Sequence, residues 1–251
     1  MRNANWMRYT WKHRRAVEYV VKKYVHDEIM REHMLKRAQV HDMDKILMYL
    51  FNDAKEAQLM HVSTQAHHLE NNLPKSYEDL METVLDYESA PYTKPDKPLN
   101  AYDFVLFLFE HGYLDEKLCE KLFLVMHDLG IDHSGTITGK EIEDYGSIYE
   151  PDEKEIVDEI MQYVRRCPKV TVMIRGNVQL RLMSDDLHDN CGFFSMQRDG
   201  KGICFEAYRD EIYHGSLMIP FGEPECIMIT AADEEIRVLL ENAAENCSCF
   251  L

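Results

Sequence analysis

The stretch His41-Asp42-Met43-Asp44-Lys45 sets a histidine beside an aspartate, with a lysine three residues on. An imidazole and a carboxylate together suit borderline and hard divalent ions, so the stretch decides whether the chain is read as folding around a metal. The dipeptide alone decides nothing. It occurs four times among the twelve histidines, at His26-Asp27, His41-Asp42, His127-Asp128 and His188-Asp189, and the surroundings must choose among them.

Those surroundings favour the second doublet. His13 lies 28 residues before His41, Asp86 lies 44 residues after Asp42, and His61, His67 and His68 fall between. One metal needs several such ligands from separate elements, with positions left for water and substrate. The other doublets lack this arrangement: His26 has little chain before it, His127 follows the histidine-rich part, and His188 falls among strand-like runs.

Working outward, residues 9–25 place Trp11, Val17, Val20, Val21 and Tyr24 at helical spacing, and residues 27–42 continue with Ile29, Met30, Met34, Leu35 and Ala38 up to the doublet. The apolar run 45–51 is expected to be buried. Asn52-Asp53 offers an N-cap for a helix over 54–70, on which His61 and His68, seven apart, would share a face while His67 points about 100° away from His68. Ser76 and Asp79 form a capping-box pattern ahead of a helix carrying Leu80, Val84, Leu85 and Asp86. A three-proline loop then leads to helices around 99–112 and 115–129. After Pro168 the texture changes to KVTVMIRG, VQLRLM, GFFSMQ, GICFEAY, EIYHGSLMI and ECIMIT, short β-branched and aromatic runs that predict an antiparallel meander of five or six strands before a last helix over 232–245. The expected class is α+β: an all-α domain over 1–166 and a smaller, mostly antiparallel β domain with a C-terminal helix over 167–251.

Composition narrows the partners. The net charge is −17, yet residues 1–45 carry a balance of +5, leaving −22 on the remainder. An acidic body repels phosphate over most of its surface, which argues against nonspecific nucleic-acid binding and against anionic membranes. The basic N-terminal segment can still draw a small phosphorylated ligand. No apolar run spans a bilayer and the first residues lack a signal-peptide core, so a cytoplasmic protein is expected. The seven cysteines form no CxxC pair and are expected as free thiols; Cys247-Ser-Cys249 is read as an inert tail, its cysteine placed one position too late for prenylation.

The order His13, His41-Asp42, Asp86 on successive helices resembles the HD-domain superfamily of metal-dependent phosphohydrolases, whose defining ligands are His, His-Asp and Asp. His41-Asp42-x-x-Lys45 is similar to the HDxxK form of many members, and His67-His68 resembles the extra histidines of two-metal members. The likeness is closer to an uncharacterised bacterial and phage family with the pattern His, HDxSK, a histidine pair, a helix ending in Asp-aromatic, and TKPDKPxNAYD. Here these read His13, HDMDK, His67-His68, METVLDYESA and TKPDKPLNAYD, over roughly residues 10–105, with Asp44 where Ser is usual and Tyr87 where Trp is usual.

The resemblance implies an HD-like helical domain in which His13, His41, Asp42 and Asp86 hold one divalent transition ion (Mn, Fe, Co, Ni or Zn) and His61, His67 and His68 are candidates for a second. Asp42 and Lys45 would be catalytic, and Lys45, with Arg14, Lys94 or Lys97, would neutralise phosphate charge. The function it implies is hydrolysis of a nucleotide or other small phosphoester. The alternative is a noncatalytic nucleotide- or protein-binding module that keeps the fold. The C-terminal domain is left open to a protein partner or a homodimer.

One weaker motif remains. Residues 130–141, GIDHSGTITGKE, resemble an EF-hand loop at Asp132, Ser134, Gly135, Ile137 and Glu141, but Gly130 stands where the first ligand belongs. A structural turn with a capping role is expected. Asp185-Asp186 and His188-Asp189 are read as polar loop between strands.

Overall fold

A computed structural model describes residues 4–94, 96, 98–146, 169–174, 178–183, 202–220 and 227–247. Its elements are α1 (Ala4–Tyr24), α2 (Glu28–Ala38), α3 (Met43–Phe51), α4 (Ala54–Thr64), α5 (Tyr77–Thr93), α6 (Ala101–Glu110), α7 (Glu116–Leu129), α8 (Gly139–Gly146), β1 (Lys169–Ile174), β2 (Val178–Met183), β3 (Gly202–Arg209), β4 (Ile212–Pro220), β5 (Met228–Ala231) and α9 (Glu234–Cys247). The α+β class holds, with helices first, then an antiparallel sheet and a C-terminal helix. The GFFSMQ run and the Asp185-Asp186 and His188-Asp189 pairs lie outside the described residues, as do Ser248 and Cys249. No helix among the described residues is long and apolar enough to cross a membrane.

Two compact units form, and they are not consecutive in sequence. One comprises Tyr9–Asp42 and Val62–Glu150; the other comprises Met1–Arg8, Met43–His61 and Pro151–Leu251. The change of texture near 166 therefore differs from the division by contact, because residues 43–61 group with the sheet.

In the helical unit, α5 packs against α2, α6, α7 and α8. Val17, Val20 and Val21 of α1, Leu80, Val84 and Leu85 of α5, and Leu122, Val125 and Met126 of α7 recur at helical spacing and are buried in one core. Truncating Leu85 or Leu122 to alanine there costs about 2–5 kcal/mol. The ends of these helices are written locally. Ser76 and Asp79 complete a reciprocal capping box on α5, while Asp27, Asn100 and Asp115 accept backbone N–H groups at the starts of α2, α6 and α7. Gly130 closes α7 in the left-handed region at φ 71°.

Three boundaries differ from expectation. α2 stops at Ala38, and residues 39–42 form turns, so the doublet follows the helix rather than ending it. α5 runs through Pro91, whose fixed φ suits a helix and whose missing N–H removes one bond in the last turn. α4 stops at Thr64 rather than 70, with His67 and His68 beyond it. There the Asn71 amide donates to the carbonyls of Val62 and Gln65, and the Lys75 ammonium donates to those of Ala66 and His68, giving the emerging carbonyls partners outside a helix.

The EF-hand-like stretch is tied into the helical unit by hydrogen bonds. Thr138 and Glu141 cap the start of α8, Glu141 also accepts from Lys23, and Thr136 bridges to Leu99. Ser134 and the Gly135 N–H donate to Asp103, which anchors this loop to the NAYD segment.

In the sheet unit the strands pair in sequence order as an antiparallel meander. Asp210 and Glu211, at φ 50° and 63°, make the tight turn between the partners Arg209 and Ile212. Gly215 must lack a side chain, since a Cβ there would stand 2.3 Å from the Thr230 carbonyl oxygen. α9 packs on β4 and β5 and against α3, which also touches β1. Ile236, Leu240 and Ala243 of α9 are buried in this unit, as are Met43, Ile46 and Tyr49 of α3 and Phe205 and Leu217 of the sheet.

Candidate metal centre

The helical unit brings six of the sequence-selected residues together. His13 comes from α1, His41 and Asp42 from the turn after α2, His67 and His68 from the turn after α4, and Asp86 from the middle of α5. His13, His41, Asp42 and His67 are all buried, the first at 6% exposure and the second at 2%. Burying this many ionisable groups is unfavourable unless they pair with one another or with an ion.

Apart from one direct hydrogen bond, between His13 and Asp86, the separations match those of a ligand set. His13 Nε2 lies 2.7 Å from Asp86 Oδ1, and His41 Nε2 lies 3.7 Å from Asp42 Oδ1 and 3.8 Å from Asp86 Oδ1. His67 Nε2 lies 3.8 Å from the same Asp42 oxygen. Ligand atoms around one transition ion, each bonded at roughly 2.0–2.2 Å, stand roughly 3–4 Å apart. One ligand atom from each of His13, His41 and Asp42 falls within 4.8 Å of the others, and the same holds for His41, His67 and Asp86 and for Asp42, His67 and His68.

His41 supplies a direct test of fit. Its Nε2 is buried and has no hydrogen-bond partner among the described residues, while its Nδ1 is taken by Glu82 Oε1 at 2.8 Å. A buried imidazole nitrogen left facing two carboxylates suits a cation between them. Buried His and Asp groups within metal-binding distance are thus compatible with a metal ion.

The electrostatics agree. Burial opposes a charged His41, but Asp42, Asp86 and Glu82 outweigh it and hold its pKa well above the ordinary value. His67 is pushed down to about 4 by burial and then by the charge of His41. Burial works against ionised carboxylates too, yet hydrogen bonding and charge from His41 bring Glu82 down to about 2, and the hydrogen bond with His13 together with the charges of His13 and His41 holds Asp86 well below its usual range. Negative charge persists at this centre.

The remaining predicted residues divide between the two units. His61 and Lys45 belong to the sheet unit, where the His61 Nδ1 lies 2.9 Å from the Asp44 carboxylate and Lys45 is buried in α3. Asp44 is thus paired with a histidine. Arg14 is buried at 2% exposure, donating to Glu18 and the Gln39 carbonyl beside the Trp11 ring. Lys94 caps α5 with its ammonium 5.0 Å from the Tyr9 ring centroid, and that ring stacks on His13. Lys97 lies outside the described residues.

Two neighbours went unnoticed in the sequence. Glu82 bonds His41 and is itself held by Arg37, whose Nε donates at 2.7 Å and whose Nη2 also reaches Asp79. The signal for Glu82 was its place four residues before Asp86, on the same helix face. The turn bearing the histidine pair is also pinned, Thr83 donating to the His67 carbonyl and Lys75 to that of His68.

No family profile, curated protein or solved structure matches this chain.

Proposed function

We propose that the chain is a metal-dependent phosphohydrolase of the HD type, acting on a nucleotide or another small phosphoester. The observation that carries this is the buried convergence of His13, His41, Asp42 and Asp86, with His41 Nε2 facing two carboxylates. Those four residues would hold one divalent transition ion, and His67 and His68 would be candidates for a second. Such an ion supplies a bound water acidic enough to act as nucleophile near neutral pH and polarises a phosphoryl oxygen.

The chain's own groups supply the rest. Glu82 and Asp86 keep their negative charge and hold the imidazoles in place. Asp42, whose Oδ1 faces the Nε2 atoms of both His41 and His67, would orient an attacking water and take its proton. Lys94, at the end of α5, is the proposed cation for charge developing on phosphate. The acidic balance beyond residue 45 fits a small substrate better than a long polyanion.

A panel of nucleotides and generic phosphoesters, assayed with Mn, Fe, Co, Ni, Zn and Mg, tests the proposal. Turnover that depends on metal and disappears in Asp42→Ala is expected. Nucleotide binding without turnover under every metal would replace the enzyme by the binding module.

A further inference from the structure

The centre contains one carboxylate that faces the wrong way to join the others. Glu82 Oε1 lies 2.8 Å from His41 Nδ1 and 3.6 Å from His67 Nδ1, whereas Asp42 Oδ1 lies 3.7 and 3.8 Å from the two Nε2 atoms. The two rings, centroids 4.6 Å apart, therefore span the gap between Glu82 on one side and Asp42 on the other. Glu82 sits on the same face of α5 as Asp86, one turn earlier, so a single helix delivers both a candidate ligand and a group behind the ligands.

We propose that Glu82 is a positioning residue: its Oε1 fixes hydrogen on His41 Nδ1 and leaves the Nε2 lone pair directed at the metal position. This rests on the metal site proposed above. An ionised carboxylate only accepts hydrogen bonds, so a partner at 2.8 Å must donate, and a neutral imidazole that donates through Nδ1 has its lone pair on Nε2. Carboxylate–histidine–metal arrays work in this way, the outer group setting ring orientation and raising ligand basicity. Arg37 keeps Glu82 in register. Its Nε and Nη2 reach Glu82 Oε2 at 2.7 and 2.6 Å, and its Nη2 also bonds Asp79, which is locked into the capping box with Ser76. The orientation of His41 is thereby tied to the first turn of α5.

The test reads the ring itself and the affinity for Zn2+. Long-range 1H–15N spectra of wild-type protein, metal-free at alkaline pH and again with Zn2+, are expected to place the His41 hydrogen on Nδ1 in both. Glu82→Gln, nearly isosteric, can both donate and accept; it is expected to lose the tautomer preference and to weaken Zn2+ binding by about 10–100-fold. A wild-type hydrogen on Nε2, or a Zn2+ affinity unchanged within about twofold in Glu82→Gln, overturns the assignment. If wild type takes up no Zn2+, the metal site falls on that result, while the tautomer in metal-free protein still upholds or overturns the role of Glu82.

Discussion

His13 Nε2 lies 2.7 Å from Asp86 Oδ1, joining α1 to α5 across 73 residues of sequence. Both side chains are largely shielded from water, so each compensates the burial of the other. His13→Ala leaves the Asp86 carboxylate without this partner, and a loss of about 1–3 kcal/mol in metal-free stability is expected. Urea denaturation checks it, and an unchanged midpoint counts against the pair.

Asp42 holds a left-handed backbone at φ 61°, a conformation that costs most residues roughly 1–2 kcal/mol and glycine little. A buried, like-charged carboxylate in that position is a sacrifice of stability for placement. Asp42→Gly is expected to melt at a higher temperature than wild type when both are metal-free, and to bind metal far more weakly. A variant that is both less stable and still metal-competent would contradict the role given to Asp42.

Lys75 donates to the carbonyls of Ala66 and His68 and to the Asn71 side chain, pinning the turn that carries the histidine pair. In Lys75→Met those oxygens lose a donor while the side chain keeps its apolar stem. Amide hydrogen exchange over residues 65–71 should quicken, with exchange in α7 unaffected. Equal protection in both proteins would show that the turn needs no such clamp.

Glu141 accepts from the Thr138 N–H, from Lys23 and from the Thr138 hydroxyl, which together bring its pKa from 4.5 to about 2. A carboxyl more acidic in the folded than in the unfolded chain contributes stability that is complete above about pH 5 and is lost as pH falls toward 2. Glu141→Gln should therefore be less stable than wild type at neutral pH, the gap closing through that window. Chemical denaturation at pH 7, 4 and 2.5 reads the difference, and a gap independent of pH would exclude the charge as its source.

What the sequence disclosed followed from locality. The capping box at Ser76 and Asp79, the apolar spacing of α1 and α7, and the alternation of the strands are each contained within one element, and these elements form. The candidate site was readable at His13, His41, Asp42 and Asp86 because residue type and order survive without coordinates. Glu82 was not, since its meaning lies in a bond to a residue 41 positions away. His67 and His68 were misplaced on α4 because the groups that hold the chain after Thr64, Asn71 and Lys75, lie downstream in what reads as ordinary loop. The grouping of α3 with the sheet was equally hidden: KILMYLF declares burial but not against what.

The buried cluster of His13, His41, Asp42 and Asp86 is proposed to hold a divalent transition ion. Metal analysis by inductively coupled plasma mass spectrometry on wild type, His41→Ala and Asp42→Ala, after loading with manganese, iron or zinc and exhaustive desalting, tests it most directly. At least one ion per chain is expected in wild type, falling well below that in both variants while their circular dichroism is preserved. Equal and negligible metal in all three would show that the cluster holds no such ion.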